Sequence, residues 1–263
     1  MQNNPIGLFD SGIGGTSIWK EVIKLVPTEN TIYLADSKNA PYGEKSAEEI
    51  IALSVKNTEY LISKGCKLII VACNTATTNA IEHLRAHYTI PFIGIEPAIK
   101  TAALNSKTGA IGILATKGTL TSKLFEKTTN EYSKNITKIK QDGEGLVPLI
   151  ENGQLNSPEM IQLLEKYLKP MLNFNIDHLV LGCTHYPYLI PQIKELLGEG
   201  VKIIDSGEAV AKQTKSVLEK NQLQSSLKIS QIKHQLFTNS NKLVLESIIT
   251  DVSANYCVEE VNF

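Results

Sequence analysis

Two cysteines stand directly after apolar stretches of the chain and directly before small polar side chains. Cys73 follows LIIVA and precedes Asn74, and Cys183 follows HLVLG and precedes Thr184 and His185. A free thiol titrates near pH ~8.5 and acts as a base or nucleophile where its surroundings favour the thiolate. The two segments therefore indicate thiol chemistry at two positions of the chain.

The other two cysteines, Cys66 and Cys257, have no polar neighbours of this kind, and such cysteines commonly behave as small apolar residues. The four cysteines are widely spaced and no C-x-x-C occurs, so a disulfide framework is not predicted. The C-x-H spacing of Cys183 and His185 lacks the further ligands of a zinc site. We therefore expect no metal, and we find no cofactor motif.

Two further polar segments follow predicted strands. DSGIGG (10–15) matches neither the dinucleotide-binding fingerprint nor the Walker motif, and its leading carboxylate would repel phosphate. We interpret its glycines as allowing a tight turn and close approach of the backbone to a ligand. PYG (41–43) is typical of a turn with a projecting aromatic side chain. Taken singly, each segment fits a structural role as well as a functional one. Asp10 could be a helix cap or turn residue, and PYG could be a plain loop.

Short apolar runs alternate with longer amphipathic segments, and this pattern predicts an α/β fold with a doubly wound, mainly parallel sheet. Ligands of such folds bind beyond the carboxyl ends of the strands. Helices are predicted from the capping box Ser46–Glu49 to about Ser63, and from Ser157-Pro158 onward. The predicted strands are 5–10, 30–36, 67–72, 90–95, 110–115, 177–182 and 201–205, followed by a strand–helix–strand tail from about Gln231.

A weak internal repeat predicts two pseudo-symmetric domains. IGLFDSG (6–12) is similar to IGILATKG (111–118), and LIIVACNT (68–75) is similar to HLVLGCTH (178–185). Chance similarity between buried strands would account for the first pair alone. The second pair also shares a cysteine at the strand exit, which is harder to attribute to chance. The cleft between two such halves is the expected ligand site.

A reaction that inverts a carbon stereocentre uses two groups of this kind. One group removes a proton from one face of the carbon and the other delivers a proton to the opposite face. A helix is expected directly after each cysteine, where its N–H groups would hold a substrate carboxylate. The same helix N-termini would lower the pKa of each thiol.

Four segments in the same order resemble the signatures of cofactor-independent glutamate racemases, within the wider aspartate/glutamate racemase family. They are GLFDSGIGG, YLADSKNAPYG, VACNTAT and LGCTHYPYL, and the resemblance runs from Ile6 to about Ala211. It implies two facing α/β domains, with the tail returning to the first, so that residues 1–97 plus 209–263 and residues 98–208 form the two domains. It also implies interconversion of L- and D-glutamate without a cofactor, a supply of D-glutamate for peptidoglycan synthesis, and a homodimer.

The resemblance also implies roles for individual residues. Cys73 and Cys183 become the two acid/base thiols, with Asp10 as the polar partner of the first and His185 of the second. A Cys73 thiolate would remove the Cα proton of one enantiomer while Cys183 reprotonates the opposite face, and the reverse direction exchanges these roles. The implied substrate-binding positions are Asp10, Ser11, Pro41, Tyr42, Gly43, Asn74, Thr75, Thr116, Glu151, Thr184 and His185.

Three alternatives remain open at this stage. Aspartate or another amino acid is the main competing substrate, because only the dimensions of the pocket separate it from glutamate. A cysteine hydrolase with a Cys183–His185 dyad would need one thiol only. A binding protein on the same scaffold would hold glutamate without changing its configuration.

Composition excludes several other classes of function. The chain has 263 residues and a formal net charge of -1, so bulk attraction to nucleic acid or to an anionic membrane is not expected. The stretch 127–140 is interpreted as a solvated face. No secretory signal and no apolar run of ~18 residues is visible, which predicts a cytoplasmic protein. Only a few residues precede the first predicted strand. The activation by a cell-wall precursor that accompanies a longer N-terminal extension in some family members is therefore not expected.

Overall fold

The structure is a computed structural model that describes residues 2–132 and 136–263. Within these ranges the strands β1 to β10 are Ile6–Asp10, Thr31–Ala35, Leu68–Val71, Phe92–Gly94, Ala110–Ala115, Thr137–Asp142, His178–Gly182, Lys202–Ile204, His234–Thr238 and Tyr256–Glu260. The helices α1 to α11 are Thr16–Leu25, Ala47–Ser63, Asn74–His87, Ile99–Asn105, Lys117–Leu120, Lys123–Tyr132, Leu146–Glu151, Pro158–Leu172, Ile190–Leu197, Gly207–Lys220 and Lys242–Ile248.

The strands form two sheets in which every described pairing is parallel. The first sheet has the order β10-β9-β2-β1-β3-β4 and the second has the order β6-β5-β7-β8. The α/β fold with two parallel sheets is therefore confirmed. The strand–helix–strand tail is confirmed as well, because β9 and β10 extend the first sheet beside β2.

The internal repeat is visible in the topology. The order β2-β1-β3-β4 of the first sheet is reproduced by β6-β5-β7-β8 in the second. The last paired residues are Phe9 with Val71 in the first sheet and Ala115 with Gly182 in the second. Because paired strands end at the same edge of a sheet, β1 and β3 exit together, and so do β5 and β7.

Local sequence signals place the two predicted helices. Ser46 accepts a hydrogen bond from the N–H of Glu49, whose carboxylate accepts one from the N–H of Ser46, so the predicted capping box opens α2. Ser157 caps α8 through the N–H of Met160, with Pro158 in the first turn. These contacts satisfy N–H groups that a helix leaves unpaired at its start.

Strand β6 was missed by the sequence pattern. Its first four residues, 137–140, belong to the stretch 127–140 that was interpreted as a solvated face. Residues 133–135 of that stretch are outside the described ranges. Its side chains are exposed or half-buried, because β6 is an edge strand that pairs with β5 alone. An edge strand with charged side chains carries no apolar pattern to identify it.

The two sheets share a continuous apolar core. The largest cluster of buried side chains includes Ile6 and Leu8 of β1 together with Leu114 of β5 and Leu179 of β7. The chain crosses between the sheets twice, and at these crossings Ser206 Oγ donates a hydrogen bond to the carbonyl of Glu96 at 2.5 Å. We propose domains of residues 1–97 plus 209–263 and of 98–208, since each set holds all strands of one sheet.

No helix of the described chain combines the length and the apolar character that crossing a bilayer requires.

One buried ion pair ties the C-terminal segment to the first sheet. Lys67 Nζ lies 2.5 Å from Glu29 Oε2, and both side chains are 2% exposed. Lys67 also donates to the carbonyl of Gln2, and Glu29 Oε1 accepts from the N–H of Ser225 at 2.8 Å. A buried charge that loses its partner is far more costly than a buried pair.

We expect Lys67→Met alone to destabilise the first domain by about 3–5 kcal/mol, because it leaves the Glu29 carboxylate buried and unpaired. The double variant Lys67→Met/Glu29→Leu should recover most of this loss. Urea unfolding followed by the fluorescence of Trp19, the one tryptophan of the chain, measures both. Lys169→Met breaks the exposed pair with Glu165 and serves as the control, with a change below about 1 kcal/mol. A Lys67→Met variant as stable as this control would show that Lys67 is not needed to balance the buried Glu29 carboxylate.

Candidate active site

A small cavity lies where the carboxyl ends of the two sheets face each other. Cys73 and Cys183 both line it, from the exits of β3 and β7. Eleven predicted positions line this cavity, together with Val147, which was not predicted. Besides the two cysteines, they are Ser11, Pro41, Tyr42, Gly43, Asn74, Thr75, Thr116, Thr184 and His185. Asp10 and Glu151 stand behind this lining.

Cys73 is the N-cap residue of α3, and its Sγ accepts a hydrogen bond from the N–H of Ala76 at 3.4 Å. The thiol also contacts Ser11 Oγ at 3.7 Å. Burial and the charge of Asp10 raise the pKa of Cys73 well above its usual value, although the Ala76 N–H and Ser11 oppose this. The expectation that the helix N-terminus lowers this pKa was therefore wrong, because desolvation outweighs the local donors.

Cys183 has a different environment. A 3₁₀ turn, Tyr186–Leu189, follows it, and α9 begins only at Ile190. The predicted helix directly after this cysteine was therefore wrong. Its partner is His185, whose Nδ1 lies 3.7 Å from the Cys183 Sγ.

A carboxylate holds the far side of the His185 ring. Glu151 Oε1 lies 2.5 Å from Nε2 of His185 and accepts the N–H of Ile13 at 2.7 Å. Burial lowers the pKa of His185, but the contacts with Cys183 and Glu151 outweigh it and raise the pKa well above its usual value. Burial raises the pKa of Glu151, but the hydrogen bond and charge of His185 prevail and lower it. His185 is thus set up to carry a proton on each nitrogen.

Asp10 connects the two cysteines without touching either. Its carboxylate accepts the N–H of Gly15 at 2.6 Å and the hydroxyl of Thr184 at 3.2 Å, and it lies 3.5 Å from Ser11 Oγ. Burial raises the pKa of Asp10, and the charge of His185 and the Gly15 N–H oppose that change. Asp10 therefore reaches Cys73 through Ser11, and reaches the Cys183 side through Thr184.

The glycines of DSGIGG admit side chains from the opposite half of the molecule. A Cβ at Gly12 would lie 1.9 Å from Glu151 Oε1, and a Cβ at Gly14 would lie 2.3 Å from His185 Nδ1. The sequence predicted that this backbone would closely approach a ligand. In the structure it closely approaches the side chains of His185 and Glu151 instead. Any side chain at these two positions would separate the halves.

Asn74 presents an unpaired donor in the cavity wall. It is 3% exposed, and its Nδ2 has no hydrogen-bond partner among the described residues. A buried donor without an acceptor is costly. This arrangement suits a site whose ligand supplies the acceptor.

On the opposite side of the cavity, threonine hydroxyls join the two halves. Thr75 Oγ1 lies 2.8 Å from Thr116 Oγ1 and 3.3 Å from Thr119 Oγ1. Beside these hydroxyls the backbone at Gly118 packs closely against the backbone at Gly43. A Cβ added at Gly118 would lie 3.1 Å from Gly43 Cα. A larger recess of about 370 Å³ lies outside this contact and shares Gly43 and Thr116 with the inner cavity.

The closed cavity measures about 10 Å³, which is at most the space of one water molecule. A substrate therefore requires the halves to separate. We expect them to part on the side of the outer recess, since the opposite side is held by the buried contacts of Asp10, Glu151 and His185.

Sequence reasoning missed several residues that shape this site. Val147 lines the cavity and Thr119 joins the threonine contact. Asp36 accepts the Tyr42 hydroxyl at 2.5 Å, and Tyr188 OH lies 2.6 Å from Thr16 Oγ1. Asp36 and Tyr188 stand within the segments that carry the resemblance, so their position was the available signal. No group of three or more metal-ligating side chains occurs within the described residues.

The family model for Asp/Glu/hydantoin racemases matches residues 7–214. This chain belongs to that racemase family. A glutamate racemase of Ralstonia pickettii (strain 12J) is 46% identical over 222 residues, which are 84% of this chain and 79% of that protein.

Solved structures of racemases share the fold over the whole chain. A glutamate racemase isoform of Bacillus anthracis matches with a TM-score of 0.88 and 32% identity, covering 100% of this chain and 99% of that one. A glutamate racemase of Francisella tularensis subsp. tularensis SCHU S4, in complex with D-glutamate, matches with a TM-score of 0.84 and 29% identity, covering 100% and 98%. The two-sheet architecture is thus common to this racemase and both structures.

We expect Gly118→Ala to prevent full closure of the cleft between the two halves of the racemase. The added Cβ would lie 2.9 Å from Thr75 Cγ2 and 3.1 Å from the Gly43 backbone. Overpacking of this kind costs about 1–3 kcal/mol, which favours the open state by about 5- to 150-fold. The rate at which a disulfide reagent modifies the cavity thiols should rise accordingly, measured with the exposed Cys257 replaced by serine.

Gly200→Ala is the control, since a Cβ there meets nothing within 4 Å. Equal modification rates in the two glycine variants would show that the Gly43–Gly118 contact does not limit closure.

Proposed function

We propose that this protein is a glutamate racemase that interconverts L- and D-glutamate by proton transfer at Cα between two thiols. The observation that carries the proposal is that Cys73 and Cys183, from equivalent strands of two repeated halves, line one closed cavity. The relatives named glutamate racemase, and the one solved with D-glutamate, support the choice of substrate.

The two thiols have different partners. The raised pKa of Cys73 keeps it a neutral thiol, a proton donor in neutral solution. His185 Nδ1 lies 3.7 Å from the Cys183 Sγ while its Nε2–H donates to Glu151, so His185 is placed to exchange a proton with Cys183. In the proposed mechanism Cys183 passes its proton to His185 and removes the Cα proton from one face, and Cys73 delivers its proton to the other face. The next turnover in the opposite direction begins with the roles exchanged.

The closed cleft supplies the electrostatic assistance that this proton transfer needs. The α-proton of an amino acid is far less acidic than a thiol, so the site must stabilise the charge that develops on the substrate. The unpaired Nδ2 of Asn74 and the N-terminal turn of α3 are donors beside the cavity. Exclusion of water strengthens each of these interactions. Ser11, Thr75, Thr116 and Thr184 complete a polar wall around the substrate.

The proposed biological role is the supply of D-glutamate for peptidoglycan synthesis in the cytoplasm, by a homodimer that uses no cofactor. Light scattering on the purified protein measures the oligomeric state directly.

We expect Cys73→Ser and Cys183→Ser each to lose about 10²–10⁴-fold in racemisation, because a serine hydroxyl at the same position is a poor acid and base at neutral pH. Circular dichroism of glutamate solutions follows the reaction in both directions. The same substitution at the exposed Cys257 should leave the rate unchanged. A Cys73→Ser variant with near-normal activity would favour a one-thiol mechanism, as in a hydrolase built on Cys183 and His185.

In deuterated water, we expect deuterium at Cα of the product enantiomer, since the proton comes from a thiol that exchanges with solvent. Mass spectrometry of the separated enantiomers measures the label. Product without label would rule out proton transfer through the two thiols.

Glutamate should be preferred to aspartate by about 10–200-fold in kcat/KM, the discrimination that one methylene group provides. Parallel dichroism assays on the L-enantiomers of both amino acids measure the ratio. A ratio near or below one would assign aspartate as the substrate.

A further inference from the structure

The side chain of Asn239 joins the C-terminal part of the chain to the loop that leads into the cavity wall. This residue directly follows β9 and is half-buried. Its Nδ2 donates to Asp36 Oδ1 at 2.5 Å, and its Oδ1 accepts the backbone N–H of Lys38 at 2.9 Å. Both polar ends of the amide are therefore used on the loop that follows β2.

Asp36 is the centre of this contact. It is 1% exposed, and its Oδ1 also accepts the amide of Asn39 at 2.8 Å, while Oδ2 accepts the hydroxyl of Tyr42 at 2.5 Å. A carboxylate this deeply buried depends on such donors, because nothing else replaces its hydration. Removing the Asn239 donor leaves Oδ1 with Asn39 alone.

The same carboxylate fixes a wall of the cavity. Tyr42 is 1% exposed and lines the cavity between its neighbours Pro41 and Gly43. Its hydroxyl also accepts the Asn57 amide at 3.2 Å, so Tyr42 is held from α2 as well as from Asp36. Burial raises the pKa of Tyr42 and keeps its hydroxyl a donor to Asp36.

We propose that Asn239 is a positioning residue for substrate binding, which acts through Asp36 and Lys38 to hold Tyr42 and the turn 41–43 in the geometry of the closed cleft. The inference rests on the proposed function, because that turn would contact glutamate. The segment after β8 therefore contributes to the site as well as to the first sheet.

The position of Asn239 predicts a particular kinetic signature. It contacts neither thiol, nor His185, nor Asp10, so the protonation states that drive proton transfer are untouched. The turn that it supports belongs to the wall that the substrate meets before and during the reaction. Loss of such uniform binding raises KM and leaves kcat unchanged.

The test uses two near-isosteric variants. Asn239→Leu removes both hydrogen bonds, whereas Asn239→Asp retains an acceptor for the Lys38 N–H but replaces the donor to Asp36 with a second carboxylate. We expect KM for glutamate to rise about tenfold in Asn239→Leu and at least as much in Asn239→Asp, with kcat within about twofold of the parent in both.

Asn241→Ala is the matched control. Asn241 lies two residues further on and caps α11 through the N–H of Leu243 at 3.0 Å, so its loss removes a side-chain hydrogen bond from the same segment without affecting Asp36 or Lys38. Its KM should equal that of the parent. A purely structural role for Asn239 would give the three variants the same kinetics, and this result, or a fall in kcat at constant KM, would overturn the proposal.

Calorimetric titration with D-glutamate measures the binding without turnover. A tenfold weaker affinity in Asn239→Leu, with normal affinity in Asn241→Ala, supports the role of Asn239 even in a parent that does not racemise glutamate. A parent protein that binds but does not racemise glutamate would contradict the proposed function and leave the role of Asn239 intact. Equal affinities for D-glutamate in Asn239→Leu and Asn241→Ala would contradict the role of Asn239 and leave the proposed function intact.

Discussion

Burial of charge between the two sheets is the constraint on which the rest of the site depends. Asp10, Glu151 and His185 lie at the carboxyl edges of the two sheets, where water is excluded and an unpaired charge would be very costly. Two of them are stabilised across the cleft, Glu151 by the N–H of Ile13 and Asp10 by the hydroxyl of Thr184, and His185 is paired with Glu151. The halves must therefore meet closely, and the glycines at 12 and 14 provide the space for this contact.

The same contact makes the two thiols unequal although the fold repeats. Cys73 faces Ser11 and the charge of Asp10, and burial keeps its proton on sulfur. Cys183 faces His185, which is backed by Glu151 and holds a proton readily. A reversible exchange of a proton between two faces needs one loaded acid and one available base. The different partners of Cys73 and Cys183 fit this requirement of the proposed mechanism.

Much of this could be predicted from the chain, because the informative residues are local. The capping box at Ser46, the cap at Ser157 and the apolar runs before Cys73 and Cys183 fix elements through neighbouring atoms. The edge strand β6 escaped prediction, because its exposed face gives no apolar pattern. The 3₁₀ turn after Cys183 escaped as well, since a helix and a turn of this kind begin with similar residues.

By itself the sequence determined the parallel strands, the two cysteines at their exits and the family to which the chain belongs, since each is written in short segments. Only the tertiary structure decided which buried polar groups pair with one another and in which direction their pKa values shift. The raised pKa of Cys73, the pairing of His185 with Glu151 and the reach of Asn239 to Asp36 join residues from distant segments. Desolvation and Coulomb energies depend on distance in space, and no pattern along the chain records that distance.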